Sequence, residues 1–345
     1  MTVSSSLRNE ARTHDALAAA EAWLAEHGKV AVATVVGTWG SAPVPVGGQM
    51  VVAPDGRFEG SVSGGCVEGE IISEAEDVLQ GGAPKTMTYG VADETAWRVG
   101  LPCGGQIKVF LERLEGAAGK DFVAKAIEAR SRRQGLVART RLADGSRQLF
   151  TREEAPADAD IARRFDSGES SLVEGPEGET FVHALVPPAR VIIVGATHIG
   201  QVLAHLVKLA GYEVIVLDPR TAFAAEARFP GIRLDTDWPQ DAIPRIGLDP
   251  YTAVVALAHV AHIDDEALKL AMRSSCFYVG ALGSRRNHAK RTERLAGAGF
   301  KPEEIGRVHC PIGLNIGAQS PQEIAISIMA EVVLALRGPK EYKAA

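Results

Sequence analysis

The sequence is poor in cysteine, and none of its four (Cys66, Cys103, Cys276, Cys310) stands in a CxxC pair or at zinc-ligand spacing. They read as reduced thiols rather than as a disulfide frame or a structural zinc site. There is no excess of positive charge either. The 37 Lys and Arg residues are outnumbered by 43 Asp and Glu, for a formal net charge of -6, which gives no sign of a nucleic-acid-binding surface. Small molecules or proteins are the expected partners. No apolar run approaches the roughly 20 residues of a membrane span. Residues Met1-Thr-Val-Ser-Ser-Ser-Leu-Arg-Asn-Glu10 lack the apolar stretch of a secretory leader, so a cytoplasmic chain with no membrane partner is expected.

A hydrophobic fraction of 46 % over 345 residues is ample for a core and long for a single one. Apolar residues at helical spacing (Leu17, Ala20, Trp23, Leu24) end at Gly28, and Val30 to Val36 reads as a buried strand. A Gly- and Pro-rich loop from Gly37 to Gly48 leads to a hairpin over 49–62 that turns at Pro54-Asp55-Gly56. A helix over 65–80 and strands over 87–89 and 106–114 complete a first α/β domain, placed at 1–115. Residues 116–188 are more charged and are assigned as an intervening segment and linker without chemistry. Pro187-Pro188 marks a boundary. From 189 to 340, strands (191–194, 213–217, 253–258, 277–279) alternate with helices (199–209, 263–273, 285–297), the pattern of a doubly wound parallel sheet. Ser320-Pro-Gln-Glu323 predicts the capped start of a last helix.

Two glycine-framed cysteines carry the chemistry of the first domain: Cys66 in Ser61-Val-Ser63-Gly64-Gly65-Cys66-Val-Glu68, and Cys103 in Cys103-Gly104-Gly105. Glycines let a ligand approach the backbone, and the start of a helix favours thiolate and anions. Either loop alone could be a tight turn around a structural thiol. Three Gly-rich loops in one domain read as a pocket, with Cys66 and Cys103 as ligands or nucleophiles. Cys276 reads as a small buried hydrophobe, and Cys310 sits ahead of the last helix in Pro311-Ile-Gly-Leu-Asn-Ile-Gly317.

In the second domain Gly195-Ala-Thr197-His-Ile-Gly200 has the position of a dinucleotide fingerprint, with Asp218 ending the next strand. This predicts a Rossmann-like fold. Thr197 stands where a glycine normally admits the pyrophosphate, which weakens NAD(P) binding. Asp218 could take ribose hydroxyls and Arg220 a phosphate. His259 and Ser284-Arg285-Arg286 fall at the sheet edge where doubly wound folds bind ligands, His259 as an acid/base or polar contact and the latter three as a phosphate site.

Taken together, these motifs resemble the XdhC/CoxI family, the xanthine dehydrogenase accessory factors. The resemblance rests on Gly40-Ser-Ala-Pro-Val-Pro-Val-Gly-Gly-Gln-Met50, Gly60-Ser-Val-Ser-Gly-Gly-Cys-Val-Glu68 and Cys103-Gly-Gly105. It continues through Val216-Leu-Asp-Pro-Arg220, Tyr278-Val-Gly-Ala-Leu-Gly-Ser-Arg-Arg286 and Pro311 to Gly317. It implies a factor that binds molybdenum cofactor (molybdopterin or its cytidine dinucleotide form). Such a factor holds the cofactor for sulfuration by a cysteine desulfurase and inserts it into a molybdenum hydroxylase apoenzyme. A homodimer is implied as well, as is a chaperone rather than an enzyme, with Cys66 and Cys103 contacting molybdenum or its sulfur. The chain departs from the family's usual pattern at Thr197 and at Ala258-His259-Val260, where Thr-His-Asp is common. An NAD(P)-linked oxidoreductase and a scaffold joining desulfurase to hydroxylase are the alternatives.

Overall fold

Seven consecutive buried residues, Val30 to Val36, lie within the first strand, β1 (Lys29–Trp39). Such a run requires cover on both faces of its sheet. The structure, a computed structural model, describes residues 15–90, 105–155, 158–176 and 178–338. The chain divides after Pro187 into two compact units.

In the first unit, α1 (Ala16–His27) is capped by the Asp15 carboxylate and stopped by Gly28 in the left-handed region. After β1 come β2 (Gln49–Val52) and β3 (Phe58–Gly60), the hairpin turning at Pro54 to Gly56. Next are α2 (Glu68–Leu79), β4 (Lys85–Tyr89), β5 (Gln106–Glu115) and α3 (Gly116–Ser131). The five strands form one antiparallel sheet in the order β3-β2-β1-β5-β4. Side chains alternate along a strand, so Ala31, Ala33 and Val35 pack with Ile71, Ala75 and Val78 of α2. Val30 and Val32 pack on the other face with Leu24 of α1 and Phe122 and Val123 of α3.

Strands β6 (Leu136–Arg141) and β7 (Arg147–Thr151), helix α4 (Ala159–Ser167), and strands β8 (Ser171–Gly175) and β9 (Gly178–Leu185) follow. They build a second antiparallel sheet, β7-β6-β9-β8. It joins the first unit's core where Leu142 and Phe181 meet Val36 and Phe110.

The second unit contains β10 (Arg190–Val194), α5 (His198–Leu209), β11 (Glu213–Leu217), β12 (Arg233–Asp235) and α6 (Pro239–Ile246). It continues with β13 (Thr252–Ala256), α7 (Ala261–Met272), β14 (Tyr278–Ala281), α8 (Arg285–Gly297), α9 (Pro302–Ile305), β15 (Val308–His309) and α10 (Pro321–Arg337). Its six strands are parallel, in the order β12-β11-β10-β13-β14-β15. That is the doubly wound order, with the reversal of winding between β10 and β13. Every residue of β10 and β13 is buried, and separate apolar layers cover the two faces. Helix α10 starts as its sequence predicts: Ser320 Oγ accepts from the Glu323 N–H while Glu323 accepts from the Ser320 N–H. Among the described residues, no helix is long and apolar enough to cross a membrane.

Candidate functional site

Between β3 and α2 the chain makes a tight turn over residues 61–67, pinned by two buried valines, Val62 and Val67, that enter the core beneath the sheet. Gly64 and Gly65 have φ of 78° and 116°, a region that side-chain-bearing residues rarely enter. Cys66 follows them and is exposed. Helix α2 begins at Glu68, with Val67 at its N-cap, so Cys66 precedes the helix rather than opening it from residue 65. The two αL-side glycines and the buried Val67 delay the first helical turn.

The turn is organised by Glu68. One carboxylate oxygen accepts from the Ser61 hydroxyl and the N–H groups of Val62 and Ser63, and the other from the Ser63 hydroxyl and the N–H groups of Gly65 and Val67. These bonds run from 2.5 to 3.2 Å. Ser63 Oγ in turn accepts from the N–H of Cys66, and Ser61 Oγ from that of Gly64. Burial of Glu68 opposes its charge. The hydroxyl and main-chain donors outweigh that burial and hold the carboxyl down at about 2. The sequence predicts Ser61, Ser63, Gly64, Gly65 and Glu68 as ligand contacts and the loop N–H groups as an anion site. In the structure these donors are already bound to the protein's own carboxylate and serine hydroxyls, which leaves Cys66 as the outward-facing thiol of the turn.

The Gly- and Pro-rich loop adjoins this turn. A side chain at Gly64 would stand 3.5 Å from Pro43, and one at Gly105 only 2.1 Å from the Ser41 carbonyl oxygen, so the backbones at 41 and 105 are in contact. Trp39, at the head of that loop, is half-exposed. Cys103 and Gly104 lie outside the described residues, while Gly105 leads from them into β5.

In the second unit the fingerprint loop is closed upon itself. Gly195, with φ of 115°, lies so near the residues after β13 that a side chain would come within 2.3 Å of the Ala258 nitrogen. Thr197 caps α5 by accepting from the Gly200 N–H at 3.2 Å. Asp218 is fully buried. It accepts from the Ala196 N–H at 2.8 Å and from the main chain and guanidinium of Arg220 at 2.7 to 2.9 Å. Burial raises its carboxyl, but these donors prevail and keep it below the ordinary range. The sequence offers Asp218 to a ribose and Arg220 to a phosphate. The structure commits each to the other.

The ligand edge of this sheet is open one crossover further on. His259, with φ of 57°, is exposed beside a cavity of about 140 Å³ that is also lined by Asp264, Asn287, Lys290, Arg291 and Arg294. Ser284 caps α8, and Arg285 and Arg286 sit exposed on its first turn, outside the cavity lining. Asn287, Lys290, Arg291 and Arg294 escape the sequence reading, although their spacing of three, four and seven residues marks one face of a helix. Asp264 accepts from the Ala258 N–H. Burial pushes its carboxyl up to about 6, against the pull of Arg291. Buried Arg291 also reaches Cys310, its Nη1 3.5 Å from Sγ, while Cys276 is buried as its apolar setting predicts.

Comparison with known proteins gives this geometry its context. Residues 23–90 match the model of the XdhC and CoxI family and residues 191–332 that of the XdhC Rossmann domain. The chain is 30 % identical to the molybdenum cofactor insertion chaperone PaoD of Escherichia coli, over 91 % of this chain and 85 % of that one. The chain belongs to the XdhC and CoxI family. A second relative, from Bacillus subtilis and named as a probable xanthine dehydrogenase component, is 28 % identical over 91 % of this chain and 95 % of its own length. Among solved structures, one described as a xanthine dehydrogenase from Bacillus halodurans superposes with a TM-score of 0.70 at 25 % identity. It covers 96 % of this chain and 98 % of that one. The XdhC match encompasses both the Cys66 turn and the closed fingerprint.

Proposed function

We propose that this chain is a maturation factor for a xanthine dehydrogenase-type molybdenum hydroxylase: it binds molybdenum cofactor as cargo and delivers it to the apoenzyme. The relative named a molybdenum cofactor insertion chaperone supports the general role. The observation that carries the reading to residues is the exposed Cys66 thiol on a turn whose hydroxyl and N–H donors are otherwise engaged. A thiolate is a soft donor suited to molybdenum or its terminal sulfur. Cys103 is proposed as a second thiol that acts on the cargo with Cys66. Holding the cargo for sulfuration by a cysteine desulfurase belongs to this proposal, as do action in the cytoplasm and a homodimeric state.

The oxidoreductase alternative needs an acid free to grip the ribose of NAD(P), and Asp218 is buried against Ala196 and Arg220. The test loads purified protein with molybdenum cofactor and measures reconstitution of a partner apo-hydroxylase. The expected result is that Cys66→Ser reduces transfer at least about tenfold, the weight of one strong ligand contact, while retaining the wild-type circular dichroism spectrum. Undiminished transfer by both Cys66→Ser and Cys103→Ser would remove the thiols from the proposal. Saturable NADH binding at micromolar concentration would favour the oxidoreductase.

A further inference from the structure

A turn rich in main-chain N–H groups just ahead of a helix ordinarily recruits an anion from solution. Here residues 62, 63, 65 and 67 all donate to the Glu68 carboxylate, and residues 64 and 66 to the serine hydroxyls, of which Ser63 itself donates to Glu68. The anion is therefore supplied by the chain. Gly64 and Gly65 hold positive φ, which glycine adopts freely but as one of many conformations open to a free turn, and Glu68 is the group that binds the main chain on both sides of them. The path to the thiol is short: Glu68 Oε2 takes the Ser63 hydroxyl at 2.6 Å, and Ser63 Oγ takes the Cys66 N–H at 2.9 Å.

We propose that Glu68 is a positioning residue for Cys66: its carboxylate fills the anion nest of residues 62–67 as an internal ligand and fixes the glycine turn that displays the thiol. This deepens the cargo reading, on which its relevance to delivery rests. It also reassigns Glu68 from ligand contact to support. The turn then has no vacant donors for a phosphate, so any phosphoryl end of the cargo must be bound by other residues. Removing the carboxylate empties the nest, and a small carboxylate such as formate or acetate should be able to refill it.

The test uses full-length protein with hydrogen exchange resolved on the peptide spanning 61–67 and iodoacetamide labelling of Cys66 read by peptide mass. In Glu68→Ala the amides of this peptide should exchange about tenfold faster or more, the factor carried by one charge-assisted hydrogen bond. The Cys66 labelling rate should depart from wild type. Formate should return both toward wild-type values and change neither in the wild type. Ser63→Ala keeps the carboxylate and removes the hydroxyl that accepts from the N–H groups of Cys66 at 2.9 Å and Val67 at 3.0 Å, so its faster exchange should be confined to those two amides. This variant also decides the matter if Glu68→Ala fails to fold. Unchanged exchange in both variants, or a Cys66 labelling rate indifferent to both substitutions and to formate, would overturn the proposal. No step here involves cofactor. Intact rescue with undiminished transfer by Cys66→Ser would therefore remove Cys66 from cargo binding and leave the positioning role of Glu68 standing.

Discussion

At the scale of single residues, the clearest demand in the first unit is for glycine at 65. A side chain there would meet nothing within 4 Å, so the cost of Gly65→Ala is conformational rather than steric. At a φ of 116° it should amount to about 1–3 kcal/mol, measurable as a lowered urea midpoint with unchanged slope. Gly195→Ala is the contrasting case, because its new methyl would collide with the main chain at Ala258. It should destabilise by more than Gly65→Ala in the same assay. Sequence makes both glycines visible as motif members but not the reasons for them. The partner that matters to one is a carboxylate three residues on, and to the other a strand end more than 60 residues away. Glu68 is legible as part of the motif, and its role is not. A glutamate beside glycines, serines and a cysteine looks like a ligand until six donors are found converging on its two oxygens.

Secondary elements are the easier part. Buried strands and capped helices announce themselves through local pattern, and α10 begins at the predicted serine cap with its reciprocal glutamate. Ser320→Ala should therefore cost about 1 kcal/mol, seen as a lowered thermal midpoint. What local pattern does not supply is occupancy. The strand, glycine loop and helix around Gly195 read correctly as a doubly wound start, yet the state of Asp218 depends on Arg220 folding back and on the Ala196 N–H turning toward it. Replacing Thr197 with glycine would restore the usual fingerprint letter and remove the α5 cap. Calorimetric titration of Thr197→Gly with NADH should show no gain in binding, because the ribose acceptor stays occupied. A micromolar affinity in that variant would show that Thr197 alone had blocked the site. The sheet of β6 to β9 is legible only as scattered short strands: its hairpins β6-β7 and β8-β9 are local, but the pairing of β6 with β9 that joins them into one sheet is distant in sequence.

For the molecule as a whole, acid sensitivity should reflect buried groups of opposite tendency in the two units. His183, buried in the first unit near Arg147 and bonded to the main chain of Gly47, is pushed down to about 4 chiefly by burial. Its folded value lies below the unfolded value of about 6.5. The neutral form is thus favoured in the fold, and the associated stability is complete above pH 6.5 and is lost as pH falls toward 4. The loss amounts to up to about 3 kcal/mol at 1.36 kcal/mol per unit. Asp264 in the second unit has the reverse sign. Raised to about 6 by burial, it weakens the fold as pH rises from its unfolded value of about 3.9 to 6 and adds no further change above that. Urea unfolding of His183→Gln and wild type at pH 7 and pH 4.5 should show a smaller loss on acidification in the variant. An equal loss in both proteins would mean that His183 does not govern the acid limb.

The carboxylate beneath Cys66 has one more implication, and it concerns time. A turn that carries its own counter-charge is already folded when empty, so loading and unloading need not wait for a loop to close or open. Association of cargo should then show little heat-capacity change beyond that of the surface it covers. The residence time would be set by the bonds at the thiol itself. On the carrier role proposed above, handover would be a matter of ligand exchange: a recipient offering a better set of donors to the metal would take the cargo without first unfolding its keeper.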